Sequence, residues 1–150
     1  MTTQQPGTQV LQASKHTLRL TLEYERQDVR LVAGQRIAMI PPPGEARTIH
    51  QGQSGSWIEL RDADEVILFQ SVLHNPIRYT VEEPERGEFG RPRRHNIEHP
   101  RGTFQLLVPD LPNTQTLVLF NSPPGAPDEP ALELARFRLD INELDRLVKP

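Results

Sequence analysis

The stretch Trp57–Val81, which reads WIELRDADEVILFQSVLHNPIRYTV, shows the pattern that the rest of the chain repeats. Two apolar runs, WIEL and VILFQSVL, are separated by the charged tetrapeptide 62–65, and a third run, IRYTV, follows Asn75-Pro76. Short runs rich in Val, Ile, Phe, Trp and Tyr, bounded by Asp, Asn and Pro, are typical of strands joined by tight turns. The nearly continuous apolar run 66–73 predicts a strand that is covered on both faces or lies at the centre of a sheet.

Runs of similar length lie before and after this stretch. Between residues 18 and 24, large apolar side chains alternate with polar ones, which predicts a half-buried antiparallel strand. Gly34 interrupts the next run, residues 29–40, and predicts a bulge. The segment 44–56, in which only Ile49 is large and apolar, is expected to be a long exposed loop. Further strands are predicted at 77–81, 103–108, 117–120 and 135–139.

The strand pattern predicts the fold class. No helical pattern of about 15 residues lies between any two of the strands, which argues against parallel βαβ units. We therefore predict an all-β fold: an antiparallel two-sheet sandwich of about eight strands with a short C-terminal helix, in preference to a small closed barrel. Trp57 is expected to lie between the two sheets, where burial of its ring contributes about 2–3 kcal/mol.

The two ends of the chain depart from the strand pattern. Residues 1–14 are polar and rich in Thr and Gln, which predicts a disordered tail. Near the C-terminus, Asp140 and Glu143 resemble a helix-capping pair and are accompanied by apolar residues at helical spacing. These apolar residues are Ile141, Leu144 and Leu147. The predicted organisation is a tail (1–14), a sandwich domain (15–140) and a short helix (141–150).

Composition narrows the classes of function. The chain has 150 residues and a formal net charge of −3, so its overall charge does not indicate nucleic acid or an anionic membrane as a partner. It contains no cysteine, which excludes disulfides, thiolate metal sites and cysteine nucleophiles. No apolar run approaches the ~18 residues of a membrane span, and the first residues contain no apolar core of a signal peptide. We expect a cytoplasmic protein without a membrane partner.

The motif His95-Asn96-Ile97-Glu98-His99 has the H-x-x-E-H spacing of a class of zinc peptidases. That chemistry needs a helix, which places both histidines on one face with the glutamate as general base. Pro100 disfavours the helical conformation at His99, so no helix of useful length fits. We therefore predict no catalytic residue, no metal and no cofactor. A metal-binding protein or metal-dependent hydrolase using His95, Glu98 and His99 stays the alternative.

The segment Arg86–Arg101, which reads RGEFGRPRRHNIEHPR, is predicted to be a basic loop. It contains five arginines and two glutamates, Glu88 and Glu98. Such a loop concentrates positive potential, which favours binding to an acidic protein surface. The five arginines are Arg86, Arg91, Arg93, Arg94 and Arg101. Nucleic acid is a weaker alternative partner, because Phe89 is the one aromatic residue available for base stacking.

The residue pattern of two further stretches resembles that of known proteins. PRGTFQLLVPDLP, which begins at Pro100, is followed by TLVLFNSP from Thr116, and together with Trp57–Arg78 they are similar to small uncharacterised bacterial proteins and to immunoglobulin-type sandwiches. The similarity covers residues 16–140. It implies an immunoglobulin-like sandwich and assigns no catalytic residue. The disulfide of immunoglobulin domains is impossible here because cysteine is absent.

The leading prediction is a non-catalytic β-sandwich that works as a protein-interaction or structural subunit. Open sheet edges can accept a strand from a partner, and the partner is either another protein or a second copy of this chain. The predicted contact elements are the sheet edges, the Arg-rich segment and the C-terminal helix. The predicted contact residues are Arg86, Arg91, Arg93, Arg94, Arg101, Ile141, Leu144 and Leu147.

Overall fold

A computed structural model describes residues 16–78, 80–84, 92–96 and 99–140. Within these ranges the chain forms nine strands and no helix. The strands are β1 (Thr17–Glu25), β2 (Asp28–Ile37), β3 (Ser56–Arg61), β4 (Ile67–Val72), β5 (Thr80–Pro84), β6 (Pro92–Asn96), β7 (Arg101–Pro109), β8 (Thr116–Asn121) and β9 (Leu132–Arg138). No helix in the described ranges is long and apolar enough to cross a membrane.

The strands form two main sheets, one with the order β2-β1-β7 and one with the order β4-β3-β8-β9. Every pairing in both sheets is antiparallel, so the predicted all-β class with two antiparallel sheets is confirmed. A separate antiparallel hairpin is formed by β5 and β6. The predicted tail 1–14 and helix 141–150 lie outside the described residues, and the immunoglobulin-like topology stays a prediction.

The sequence predicted that the Arg-rich segment is a loop. The structure corrects this, because the segment contains β6 and the first residue of β7. The strand β6 pairs with β5 along a complete register of five residues. The preceding strand begins at Thr80 and not at Ile77. Ile77 is buried in the connection before it.

The core between the two main sheets is built from alternating residues of their inner faces. Period-two alternation sends every second side chain of β1, β3, β7 and β8 inward. The fully or nearly fully buried members include Leu18, Leu20, Leu22, Ile58, Leu60, Leu106, Val108, Leu117 and Leu119. Burial of one such side chain stabilises the fold by about 2 kcal/mol relative to its exposure.

Of the two alternatives predicted for the apolar run 66–73, the central position is wrong. Cover on both faces is found in its middle, where the adjacent residues Phe69 and Gln70 are both buried. The strand it contains, β4, lies at an edge of the four-stranded sheet, and Val66 is 54% and Ile67 is 43% exposed. The run reads as continuous because an extra residue, Leu68, is inserted where the register with β3 shifts. The central strands of this sheet are β3 and β8.

Trp57 is buried, but it does not lie between the sheets as predicted. Its neighbours Ile58 and Leu60 belong to the inter-sheet core, with Ile58 on the inner face of β3, so alternation places Trp57 on the outer face. Its ring stacks on Phe120 of β8, with ring centroids 5.1 Å apart and an interplanar angle of 16°.

The predicted loop 44–56 is mostly exposed, but it is tied to the outer face that carries Trp57. Ile49 is buried, and its backbone N–H donates to Oε1 of Gln70 at 2.9 Å. The amide nitrogen of Gln70 donates in turn to the carbonyl of Ile49 at 3.3 Å. The chain therefore folds over the outer face of its own four-stranded sheet.

Candidate functional site

The outer face of the four-stranded sheet holds a buried carboxylate, that of Glu59, which is 4% exposed. Alternation along β3 puts Trp57, Glu59 and Arg61 on this face, and Gln70 is the residue opposite Glu59 on β4. Trp57 Nε1 donates to Glu59 Oε2 at 3.2 Å, and Gln70 Nε2 donates to the same oxygen at 2.7 Å. Arg61 donates to Oε1 through Nη2 at 2.6 Å and through Nε at 3.0 Å.

These bonds explain why a charge is tolerated at this position. A buried carboxylate is costly unless it is paired and hydrogen-bonded. Both oxygens of Glu59 accept bonds, and one of them receives two donors from the planar guanidinium of Arg61. The arrangement is satisfied without a ligand, which indicates a structural role.

The network continues toward solvent through alternating charges. Arg61 Nη1 lies 3.0 Å from Glu65 Oε2, and Arg136 Nη1 lies 2.7 Å from Glu65 Oε1. Arg136 also contacts Glu133 at 2.8 Å. The turn that positions Glu65 is held by Asp62, whose Oδ1 accepts the backbone N–H groups of residues 64 and 66 at 2.8 and 2.9 Å.

These contacts set the protonation states of the exposed end. Hydrogen bonds from Arg61 and then Arg136 hold the pKa of Glu65 below its usual value. Burial alone would lower the pKa of Arg61, but its hydrogen bonds to Glu59 and Glu65 raise it above its usual value. The pKa of Arg136 is likewise raised by its hydrogen bonds to Glu133 and Glu65. A carboxylate held ionised beside permanent cations is a poor general acid near neutral pH.

A second polar cluster joins the turn after β1 to the chain before β7. His99 Nε2 lies 2.7 Å from Glu25 Oε1, and Arg26 Nε donates to His99 Nδ1 at 3.0 Å. Because Nδ1 accepts from Arg26, the ring proton is assigned to Nε2 and is donated to Glu25. The hydrogen bond from His99 lowers the pKa of Glu25, and the charge of Arg101 adds to the effect.

The metal alternative finds no geometric support in the described residues. Both ring nitrogens of His99 already have protein partners. His95 lies on β6, and Glu98 lies outside the described residues. In the part of the chain that the structure covers, no three His, Asp or Glu side chains are grouped closely enough to hold a metal ion.

The hairpin of β5 and β6 places residues of opposite charge across from each other. Glu82 pairs in register with Arg94, and Glu83 pairs with Arg93. Residues 80–96 contain four acidic and four basic residues, so the formal net charge of this span is zero. The excess positive charge of the Arg-rich segment is balanced by the three glutamates of residues 80–85, and this weakens the argument for an acidic or nucleic-acid partner there.

The remaining predicted contact residues are placed as follows. Arg101 is exposed at the start of β7, opposite Glu25 of β1. Arg86 and Arg91 lie outside the described residues, as do Ile141, Leu144 and Leu147. The contacts assigned to these five residues stay predictions.

A cleft of about 600 Å³ opens where the start of β2 faces β9. Its lining residues are Glu25, Gln27, Asp28, Val29, Arg30, Leu134, Ala135, Arg136 and Phe137. The lining contains no Ser, Thr, Cys, Lys or His side chain, so it offers no ordinary nucleophile with a histidine base. Several of its charged groups are already paired: Arg30 with Glu23, and Arg136 with two glutamates.

The two main sheets have four edge strands, and three of them are irregular. The register shifts by one residue along β2, β4 and β9. The inserted residues are Val32, Leu68 and Leu134, respectively. A bulge twists an edge strand and prevents regular pairing with another chain. The bulge on β2 lies at Val32, two residues before the predicted position at Gly34.

These three edges have further protection. On β4, the backbone carbonyl of Gln70 accepts the backbone N–H of Glu45 at 2.9 Å. The backbone N–H of Val72 donates to the side chain of Glu45 at 3.1 Å. The strands β2 and β9 each carry several charged residues, which discourage edge-to-edge pairing.

The fourth edge, that of β7, lacks these devices from residue 102 to residue 108, and its last residue, Pro109, is fully buried. Its nine residues pair with β1 in an unbroken register, and residues 102–109 carry no charge. Among the described residues, no backbone hydrogen bond reaches the side of β7 that faces away from β1. The sequence predicted this strand but not its edge position, because strand order depends on pairing between distant segments.

The chain matches no family model, no curated protein and no solved structure in comparisons with known proteins. The resemblance to immunoglobulin-type sandwiches therefore stays a prediction. The function has to be argued from the chain's own residues, and the strongest candidate contact site is the free edge of β7.

Proposed function

We propose that this protein is a non-catalytic β-sandwich that binds another polypeptide by accepting its extended strand at the free edge of β7. The observation that carries the proposal is the contrast between this edge and the other three. Each of the others carries a bulge, whereas β7 is regular and uncharged over residues 102–109. Strand addition is a common mode of peptide recognition at such edges.

The backbone of β7 presents its unpaired groups at alternate residues. Asp110 N–H donates to the carbonyl of His16 at 3.1 Å, and Arg26 N–H donates to the carbonyl of Pro100 at 2.5 Å. Both bonds belong to the register that pairs β1 with β7. Because hydrogen-bonded pairs alternate in an antiparallel ladder, the even-numbered residues of β7 point their backbone groups at β1.

The odd-numbered residues of β7 consequently direct their N–H and C=O groups to the free edge. The central ones are Thr103, Gln105 and Leu107, and their side chains are exposed on the outer face of the sheet. On the other face, Phe104 is half-buried against the core. An incoming strand would therefore gain backbone bonds at the edge and an apolar contact at Phe104.

The polar groups of the other candidate sites are already paired within the chain, which favours this proposal. Glu59 is saturated by Arg61, Trp57 and Gln70. Glu65 is held by two arginines, and His99 lies between Glu25 and Arg26. These arrangements stabilise the fold and leave no poised acid, base or nucleophile among them. The Arg-rich segment and the C-terminal residues stay additional predicted contacts.

Residue-resolved amide exchange tests whether the edge of β7 is open. In a dilute, monomeric sample, odd-numbered amides of β7 should exchange at least about 100-fold faster than even-numbered ones, because only the latter are bonded to β1. The fast set is Thr103, Gln105 and Leu107, and the slow set is Phe104, Leu106 and Val108.

The central strand β1 supplies the internal control, since it pairs on both sides and should show slow exchange at odd and even residues from Leu18 to Thr21 alike. Equally slow exchange of the odd and even amides of β7 in the monomer would mean that the edge is covered, and the proposed function would be wrong.

A further inference from the structure

We infer that residues 39–43, which read MIPPP, are a preformed ligand for a second protein whose binding groove is lined by aromatic side chains. This stretch, the proline segment, follows β2 and leads into the loop that is tied to the four-stranded sheet. It is a second contact surface of the chain, and it does not depend on strand addition at the edge of β7.

The proline segment carries the most exposed large apolar side chain in the described part of the chain, Ile40, which is 83% exposed. Met39 is 39% exposed, and Pro42 and Pro43 are exposed as well. No charged residue occurs in the span 37–44, so this surface is apolar without interruption. Contiguous apolar surface that the fold leaves uncovered marks a site of protein contact.

The three prolines set the conformation of the proline segment. A proline ring fixes φ at about −65°, and a residue that precedes proline is confined to the extended or polyproline II region. Both restrictions apply to Pro41 and Pro42, and the second applies to Ile40. The peptide bonds of the segment are trans. These restrictions give a left-handed polyproline II helix, which has three residues per turn.

The burial of successive side chains repeats every three residues, as this helix requires. Pro41 and Gly44 form one edge, which is half-buried against the rest of the protein. The other two edges are exposed and apolar. They consist of Ile40 with Pro43 and of Met39 with Pro42. The helix therefore turns one edge to its own fold and offers two neighbouring apolar edges to a groove.

Both ends of the proline segment are fixed to the fold. Before it, Thr17 Oγ1 donates to the carbonyl of Met39 at 3.0 Å. After it, the backbone N–H of Glu45 donates to the carbonyl of Gln70 at 2.9 Å. Gly44 lies so close to β4 that an added Cβ would come 3.0 Å from the same carbonyl oxygen. Because the segment is held in its extended form before a partner arrives, binding costs less conformational entropy than for a free peptide.

The backbone of the proline segment is available to a partner. In the described part of the chain, no backbone hydrogen bond reaches residues 40–43, so their carbonyl groups are free to accept one. Trp and Tyr side chains combine a flat apolar ring with an N–H or O–H donor. Their rings can pack on the proline and isoleucine side chains while their donors bond to these carbonyls. The lack of charge in the segment favours an uncharged groove of this kind, as found in WW and EVH1 domains.

Another proline-rich stretch, residues 122–130, does not have this form. The backbone N–H of Ala126 donates to the carbonyl of Pro123 at 3.0 Å, and that of Glu129 donates to the carbonyl of Ala126 at 3.1 Å. These bonds close the stretch into turns. Proline content alone therefore does not make the ligand, and Pro124, which is exposed in one of these turns, supplies a matched control.

Titration of the isotope-labelled full chain with an unlabelled WW domain and an unlabelled EVH1 domain tests the inference by NMR. With at least one of them, we expect chemical-shift changes confined to the proline segment and its flanks, seen at the amides of Met39, Ile40 and Gly44. An excess of an oligoproline peptide should reverse the changes, because it fills the same groove. Changes centred on Gln105 and Leu107 would instead place the contact at the edge of β7 and overturn the inference.

Two substitutions locate the contact on the exposed edges of the helix. Ile40→Ala and Pro42→Ala should each weaken binding at least about tenfold, because each removes a side chain that fills the groove. Pro124→Ala should leave the affinity unchanged. All three side chains are exposed, so the variants should stay folded, which the urea midpoint checks.

Three results would overturn the inference: no shift changes with either domain at the highest soluble concentration, binding that survives an excess of oligoproline, or binding that Ile40→Ala and Pro42→Ala leave unchanged. None of them affects the proposed function, because the amide-exchange test of the β7 edge uses the chain alone. Slow exchange at that edge would in turn leave the proline segment unaffected.

Discussion

On the outer face of the four-stranded sheet, Trp57 and Glu59 are 3% and 4% exposed, whereas Leu107 on the outer face of the three-stranded sheet is 39% exposed. The first face is covered by a loop whose Ile49 backbone bonds to Gln70. The second is covered at one end, where Thr17 and Pro109 are fully buried and Thr17 Oγ1 donates to the carbonyl of Met39 at 3.0 Å. Its middle is open, and Gln105 is exposed there. The same alternating pattern thus leads to burial on one outer face and exposure on the other.

The comparison teaches that the two faces serve different purposes. The covered face contains large apolar and charged groups whose hydrogen bonds and ring contacts are met within the chain. Its residues contribute to stability and are poorly placed to meet a partner. The open face ends at the edge of β7, so the proposed contact with a partner lies on the three-stranded sheet.

The largest expected effect comes from comparing an apolar residue of the covered face with one of the open face. Trp57→Ala removes a buried ring and its stack on Phe120, and should lower the free energy of unfolding by about 4 kcal/mol. The matched change on the open face, Leu107→Ala, should cost less than about 1 kcal/mol. Urea unfolding followed by circular dichroism measures both. Similar losses for the two variants would contradict the assignment of Trp57 to a covered face.

The next effect compares two glutamates. Glu59→Ala leaves the buried donors of Trp57 and Gln70 without their acceptor and takes away the bidentate partner of Arg61, so we expect a loss of about 3 kcal/mol. Glu23 on the open face meets Arg30 at 3.4 Å, and both side chains are largely exposed. Glu23→Ala should change the free energy of unfolding by no more than about 0.5 kcal/mol.

Urea unfolding also measures the two glutamate variants. A loss for Glu59→Ala as small as that for Glu23→Ala would mean that water reaches the network, and the covered face would then be open. The conservative variant Glu59→Gln keeps the volume of the side chain, so its smaller loss isolates the contribution of the charge.

Local patterns predicted much of the fold. Alternation from Leu18 to Tyr24 predicted β1 and its buried face, and the uncharged run 103–108 predicted β7. The antiparallel two-sheet class followed from the strand lengths and the lack of helical spacing between them. These features depend on neighbouring residues, which is why the sequence alone reveals them.

Features that depend on distant pairing could not be predicted. Hydropathy indicated that Trp57 is buried, but the face it occupies depends on its register and on a loop tied down by one glutamine. Apolar continuity suggested a central β4, yet the strand lies at an edge. The partners of His99 lie 73 and 74 residues away along the chain, so no local motif could reveal them.

The smallest effect concerns Glu65, where the covered network reaches solvent. Hydrogen bonds from Arg61 and Arg136 hold its pKa below the ordinary value of 4.5, so the folded state favours the ionised form. Its contribution to stability is therefore fully present above that value and is lost as the pH falls through the lowered pKa of the folded state. Glu65→Gln should lower the urea midpoint slightly at pH 7, and this deficit should vanish in acid.

The control for Glu65 is the double variant with Arg136→Ala. Removal of Arg136 takes away one of the two donors that lower the pKa of Glu65, so the pH-dependent deficit caused by Glu65→Gln should become smaller in that background. A deficit that is unchanged in acid would show that Glu65 acts through the shape of the 62–66 turn and not through its charge. The charged network would then end at Arg61, inside the covered face, and the boundary between the two faces would be sharper than the ion pairs suggest.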